Sequence, residues 1–248
     1  MTDQSDAYGF QSSYAAACRA AGLPEAFGAA DLGEKMRLLT ERLIASNKQF
    51  NLTAITDPDE VLVKHIVDSL YAAAAIADFG ADGKKLLDVG AGGGFPSLPV
   101  AAALPGLSVH AMDATAKKCR YIDETAAAVG LSNVTAVNAR AEDAARQFGA
   151  SFDFVTARAV ARLNVLAELC APFLRVGGVF LAMKGPGGAE EAAEAARGLS
   201  QLGLSEPEIR QYDLPNGAGE RSLVVCRKLR LTPALYPRPY AKIVKNPL

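Results

Sequence analysis

The spacing of apolar residues changes character about a third of the way along this 248-residue chain. In DLGEKMRLLTERLIASNKQF, Met36, Leu39, Leu43 and Phe50 recur near helical spacing, with Asp31 or a neighbour as the cap. SSYAAACRAAG predicts a shorter helix ahead of it, and NLTAIT interrupts the pattern behind it, with Asn51 capping or turning the chain. DPDEVLVKHIVDSLYAAAAIADFG then opens with Asp57 as N-cap and Pro58 at the first helical position. Acids crowd that first turn, where the helix dipole favours them. From residue 84 onward, short apolar runs alternate with helical stretches. KKLLDVG, LSVHAMDA, NVTAVNAR, FDFVTARA and GGVFLAMKG read as strands. PSLPVAAAL, AKKCRYIDETAAAVG, NVLAELCAPFL and GAEEAAEAARGLSQLG read as helices, the second of them closed by Gly130. EIRQYDL and RSLVVCRKL, joined by the glycine-bearing LPNGAGE, predict a closing hairpin. Repeated βα units imply a parallel sheet with right-handed crossovers, and the hairpin adds an antiparallel strand. The expected fold is therefore α/β, with residues 1–82 as a helical extension packed on a domain of residues 83–248.

Composition narrows the function. Half the residues are hydrophobic, 21% are charged, and the net charge is −1. A uniformly basic nucleic-acid binder does not look like this. The charge is uneven, however. From Arg221 to Leu248 the chain carries Arg221, Arg227, Lys228, Arg230, Arg238, Lys242 and Lys245 and no acid. Such an end either grips phosphate or is simply a solvated strand and tail. No apolar run reaches the ~20 residues of a membrane span, and the polar start MTDQSDAYGFQSSY lacks a secretory layout. A soluble cytoplasmic protein is expected. Cys18, Cys119, Cys170 and Cys226 stand singly, far from His65 and His110, which predicts apolar filling rather than zinc binding or disulfides. No metal site is expected.

The chemistry concentrates in DVGAGGGFP. Asp88 precedes a turn with Gly90, Gly92 and Gly94, all four expected to contact the cofactor, and Phe95 stands where a dinucleotide fingerprint would need its third glycine. Glycines here let the backbone bend and a ligand approach closely. Asp113, at the end of the second strand, is placed to accept hydrogen bonds from ribose hydroxyls. That position suits NAD and S-adenosylmethionine alike. After the third strand, the backbone at Ala141 and Glu142 meets the same sheet edge, where an adenine ring would lie. Taken with the terminal hairpin, these features favour a class I S-adenosylmethionine-dependent methyltransferase with a Rossmann-like, seven-stranded sheet.

Several stretches then resemble one family: NLTAITDPDEVLVKHIVDSL, DVGAGGGFPSLP, DATAKKCRYI, DFVTARAVARLN, LAMKG and the closing YPR…KNPL. Together, from about residue 30 to the end, they look like the bacterial small-subunit ribosomal RNA methyltransferases formerly called glucose-inhibited division protein B. The resemblance implies methylation of N7 of a guanosine in 16S ribosomal RNA. It also implies cofactor contacts at Gly90, Phe95, Ala141, Glu142 and Arg158. Two departures stand out: Ser97 replaces the family's usual glycine, and the tail lacks the glycine and threonine often found between YPR and KNPL.

The residues suit that reaction. Guanine N7 has a free lone pair and no proton to lose, so in-line methyl transfer needs alignment more than acid–base help. No catalytic residue is expected beyond positioning. Neither an NPPY-type tetrapeptide nor a Pro-Cys nucleophile is present. Arg158 is expected on the cofactor carboxylate or an RNA phosphate, with a structural ion pair as its alternative. Arg162, Lys184, Arg238, Lys242 and Lys245 are candidate RNA contacts. His65 and Asp68 are expected to fasten the helical cap to the sheet. The partner implied is 16S RNA or the small subunit, and no symmetric motif suggests more than a monomer. Competing readings are a catalytically silent assembly factor, a methyltransferase of this fold acting on a small molecule or protein, and, more distantly, an NAD-dependent oxidoreductase.

Overall fold

A computed structural model describes residues 3–248, with side chains from Gly9 onward; the first two residues of the polar start lie outside it. Helices α1 (Asp3–Ala20) and α2 (Ala30–Phe50) are followed by α3 (Pro58–Val61), a π-helical turn (Leu62–Val67) and α4 (Asp68–Asp78). The sheet domain runs β1 (Lys85–Val89), α5 (Ser97–Ala103), β2 (Ser108–Asp113), α6 (Ala116–Val129), β3 (Val134–Asn138), α7 (Ala141–Phe148) and β4 (Phe152–Arg158). It continues through α8 (Leu163–Cys170), β5 (Leu174–Lys184), α9 (Gly188–Gln201), β6 (Glu208–Asp213), β7 (Glu220–Arg227) and α10 (Tyr240–Lys245).

The seven strands lie in the order β3-β2-β1-β4-β5-β7-β6. Strand β7 alone runs antiparallel, paired with β5 on one side and β6 on the other. The order reverses between β1 and β4, which opens a crevice beyond the carboxyl ends of these two strands. Alternation along the strands separates two apolar layers. Leu86 and Phe154 face a layer that includes Tyr14, Met36, Leu43, Ile66 and Leu70 from the N-terminal helices. Leu87 and Val155 face the other, with Phe173, Phe180, Leu166 and Ile243. Each such side chain contributes about 1.5–3 kcal/mol when fully buried. The N-terminal helices thus complete one face of the sheet.

Local signals explain most boundaries. Asp57 accepts from the Glu60 amide at 3.0 Å, with Pro58 behind it, a cap of about 1 kcal/mol. Gly130 ends α6 at φ 73°. Pro99 sits in the first turn of α5, where its missing N–H costs nothing. Asn51 ends α2 in the left-handed region, and the Asn47 amide grips both the N–H and the carbonyl of Thr53. All four cysteines are buried and unpaired.

Some expectations fail. Asp31 does not cap α2; Ala29 precedes the helix without a side-chain cap, and Asp31 lies in its first turn. The first helix is longer than SSYAAACRAAG, reaching back to Asp3. Phe50 is 39% exposed rather than core, because it stands on the helix's last turn. NARAED continues into α7, a helix that was not expected although Ala141, Ala144, Ala145 and Phe148 recur at helical spacing. The basic tail is neither free nor wholly solvated. It folds as α10, with Ile243 fully buried, and the Leu248 backbone lies so close to Gly198 that a Cβ there would clash. Among the described residues, no helix is long and apolar enough to cross a membrane.

Candidate active site

The turn after β1 is shaped by missing side chains. Gly90, Gly92 and Gly94 all have positive φ, at 79°, 59° and 86°. A Cβ on Gly94 would strike Leu98, and one on Gly90 would lie 2.6 Å from Cγ2 of Val160. At Gly92 a Cβ would meet only the Gly90 carbonyl at 3.8 Å, so the space beside it is open. Asp113 closes the opposite side. Its Oδ2 accepts from the Gly92 amide at 3.1 Å and its Oδ1 from Thr115 at 2.8 Å. Each oxygen keeps a lone pair for a ribose hydroxyl. Ala141 and Glu142 start α7 at the end of the neighbouring β3, at the same sheet edge. Open space at the turn and a carboxylate with spare acceptors fit an adenosyl group.

Asp88 has a different part from the one expected. It is fully buried, and its carboxylate faces protein groups. Its carboxylate accepts from the amide and hydroxyl of Ser97 and from Thr156 at 3.3 Å. Burial pushes its carboxyl up to about 6, against those hydrogen bonds. Asp88 therefore braces the turn from beneath, tying β1, β4 and the start of α5. Ser97 supplies the hydroxyl.

Beside the turn, a cavity of about 640 Å³ opens at the ends of β4 and β5, walled on one side by the π-turn. Val160 lines it and also touches Gly90, so it stands between cavity and turn. Ala159 before it has φ 55°, strained for a residue with a Cβ. Arg158 joins the two walls. Its guanidinium donates to Asp68 at 3.1 Å, to the Lys64 carbonyl at 3.2 Å and to His65 Nδ1 at 3.2 Å. It lies 5.7 Å from the centre of the Phe95 ring, on which His65 stacks at 5.0 Å. Because arginine only donates, Nδ1 must accept, which leaves the proton on Nε2, 2.8 Å from Thr53 Oγ1. Burial, then the Arg158 charge, lowers His65 to about 3. Tyr212 donates to the second oxygen of Asp68 at 2.8 Å.

Arg158 thus takes the ion-pair alternative, and His65 and Asp68 do fasten the helices to the sheet. Other expected cations are also engaged. Lys184 is 9% exposed, donating to the Ala161 carbonyl at 2.6 Å and pairing with Glu191 at 2.9 Å, so it is not a free phosphate ligand. Arg238 grips the fully buried Glu168 through three bonds of 2.6–3.1 Å and is likewise structural. Lys228 is buried on the Ala171 and Leu202 carbonyls, and burial lowers it to about 8. Arg162 pairs with Glu194 at the surface, with both side chains more than half exposed. Lys242 and Lys245 are exposed, with no ion pair among the described residues. Thr53, Val160, Met183 and Tyr212 were not singled out from the sequence. Thr53 lies within NLT, and Tyr212 takes its place from the β6–β7 pairing.

Comparison with known proteins agrees with this geometry. A model of the GidB family, described as rRNA small subunit methyltransferase G, matches residues 32–221. Ribosomal RNA small subunit methyltransferase G of Lactobacillus johnsonii is 41% identical over 84% of this chain and 88% of its own. Its namesake in Symbiobacterium thermophilum is 44% identical over 82% and 84%. Among solved structures, cofactor-bound Rv0187 from MTB superposes with a TM-score of 0.58 at 20% identity, covering 77% of this chain and 89% of that one. The SAM-dependent O-methyltransferase of Thermotoga maritima gives 0.52 at 18% identity, over 76% and 71%. At that identity the structures establish the fold alone, a class I methyltransferase sheet. The sequence relatives carry the assignment further: the chain belongs to the rRNA small subunit methyltransferase G family.

Proposed function

We propose that the protein transfers a methyl group from S-adenosylmethionine to N7 of a guanosine in 16S ribosomal RNA, acting as a monomer in the cytoplasm on naked RNA or on the small subunit. When bound, S-adenosylmethionine supplies an electrophilic methyl group on a sulfonium. Asp113 would hold its ribose, the backbone at Gly90 and Gly92 its approach, Ala141 and Glu142 its adenine, and Phe95 the inner wall.

One observation carries the choice of acceptor atom. Among the described residues, every acid or imidazole lining the cavity is already committed. His65 spends both nitrogens, Asp68 binds Arg158 and Tyr212, and Glu191 binds Lys184 and the Leu163 amide at 2.7 Å. No general base is left to deprotonate an amine or hydroxyl. N7 of guanine needs none, because its lone pair attacks directly. The residues then act by position: Arg158 and His65 fix Phe95, and Val160 sets the boundary that the methyl group crosses. Asp68, facing Arg158, offsets the cation that would otherwise oppose the positive product base.

The test supplies labelled methyl donor and small subunits or 16S RNA lacking the modification. Label on guanine N7 is expected. Label on another atom, or none on RNA with donor binding intact, overturns the proposal and favours another acceptor or a silent assembly factor.

A further inference from the structure

A second groove, of about 430 Å³, adjoins the cavity and shares Ala161 and Arg162 with it. Its far wall comes from the tail: Tyr240 and Val244, one turn apart on α10, and Pro247 behind them. Tyr240 is 41% and Val244 50% exposed. The tail is firmly built. Arg238 ties it to buried Glu168 on α8 and donates to the Asn246 carbonyl at 3.0 Å, bracketing α10 at both ends. Lys184 holds the Ala161 carbonyl at 2.6 Å, fixing the shared wall.

We infer that this groove is a second nucleotide subsite, holding the unpaired base next to the methylated guanosine, stacked on Tyr240. The inference rests on the proposed RNA substrate and deepens it. Three features select single-stranded RNA as occupant. The groove adjoins the acceptor cavity at Ala161 and Arg162, so a chain leaving that cavity past them meets it. It offers an aromatic ring with an aliphatic neighbour, the platform on which unpaired bases stack irrespective of sequence. Cations surround it: Arg162 lines it, and α10, which forms the far wall, carries exposed Lys242 and Lys245 and no acid. Glu194 is the one acid on the groove. Its bond to Arg162 is a surface pair of the weak kind, which a phosphate can displace.

The experiment compares wild type, Tyr240→Ala and Tyr240→Phe on the RNA substrate that the wild type methylates, with the guanosine's neighbour intact or abasic. Tyr240→Ala is expected to raise KM for RNA by about 5- to about 160-fold, the range that one base–aromatic stack spans. Donor affinity should not change, and Tyr240→Phe should stay within about two-fold of wild type. An abasic neighbour should cost the wild type as much as Tyr240→Ala does, and cost that variant nothing further. A wild-type KM in Tyr240→Ala, or losses that multiply, would overturn the subsite. A loss seen with assembled subunits but not with deproteinised RNA would also overturn it, giving the groove to a ribosomal protein. Absence of RNA methylation by the wild type itself would instead sink the reading on which the inference rests.

Discussion

The two halves of the site are built by different means. At the turn, local backbone geometry does the work: three glycines at positive φ, one open Cβ position and a strand-end carboxylate brought together across adjacent parallel strands. At the cavity, ion pairs between separate elements build the walls, Arg158 with Asp68 and Lys184 with Glu191, and the same kind of pair, Glu168 with Arg238, holds the tail beside it. The contrast is between shape and charge. A turn excludes or admits by sterics, and its parts are neighbours along the chain. A charged wall works only when each ion has found its partner, and partners are set by topology.

The largest effect is expected where that shape is filled. Gly92→Val places a branched side chain into the open space at φ 59°, so calorimetry should find no measurable S-adenosylmethionine binding. The strained backbone adds a stability cost of about 1–2 kcal/mol, leaving the fold intact by circular dichroism. Unchanged affinity would break the assignment of the turn.

Among the ion pairs, Arg238→Ala leaves the fully buried Glu168 without its charged partner and frees the tail. Breaking such a pair costs about 3–5 kcal/mol, which chemical denaturation would register. A loss under 1 kcal/mol would mean that Arg238 is not held as described.

A pH experiment sharpens the comparison, since each half holds a group whose titration burial shifts strongly. Folding raises Asp88 from 3.8 to about 6. Between those values the folded state keeps a proton that the unfolded chain has released, so stability falls as pH rises. Folding lowers His65 from 6.5 to about 3. Between those values the unfolded chain holds a proton that the folded state refuses, so stability rises with pH. The slopes oppose one another from about pH 4 to 6. Asp88→Asn removes the first and should expose acid lability with a slope of up to about 1.4 kcal/mol per pH unit. Urea midpoints that follow the same pH profile in both proteins would contradict this.

The smallest effect concerns the exposed lysines. Lys242→Ala with Lys245→Ala should weaken RNA binding a few-fold and reduce the salt slope by about 1.4, for two phosphate contacts on a single strand. An unaltered slope would remove α10 from the RNA surface.

The same contrast explains what could be read before the fold was known. The turn, Asp113, the Asp57 cap and the Gly130 terminus were legible because each depends on residues close together or on a repeated βα spacing. The strand order was legible only as a class, since nothing local inserts β7 between β5 and β6. Arg238 and Lys184 were misread as free cations because their partners, Glu168 and Glu191, lie on α8 and α9. The burial of Asp88 was not foreseen, because an acid before a glycine turn looks the same whether it faces the ligand or the core. Ala159 gave no warning of its left-handed backbone.

The most direct test is a crystal structure of the protein with S-adenosylmethionine. The account predicts the adenosyl group in the turn, its ribose on Asp113, and its methyl group directed past Val160 into the cavity bounded by Arg158 and Met183. An adenosyl group lying in that cavity instead, or a turn left empty at saturating ligand, would contradict it.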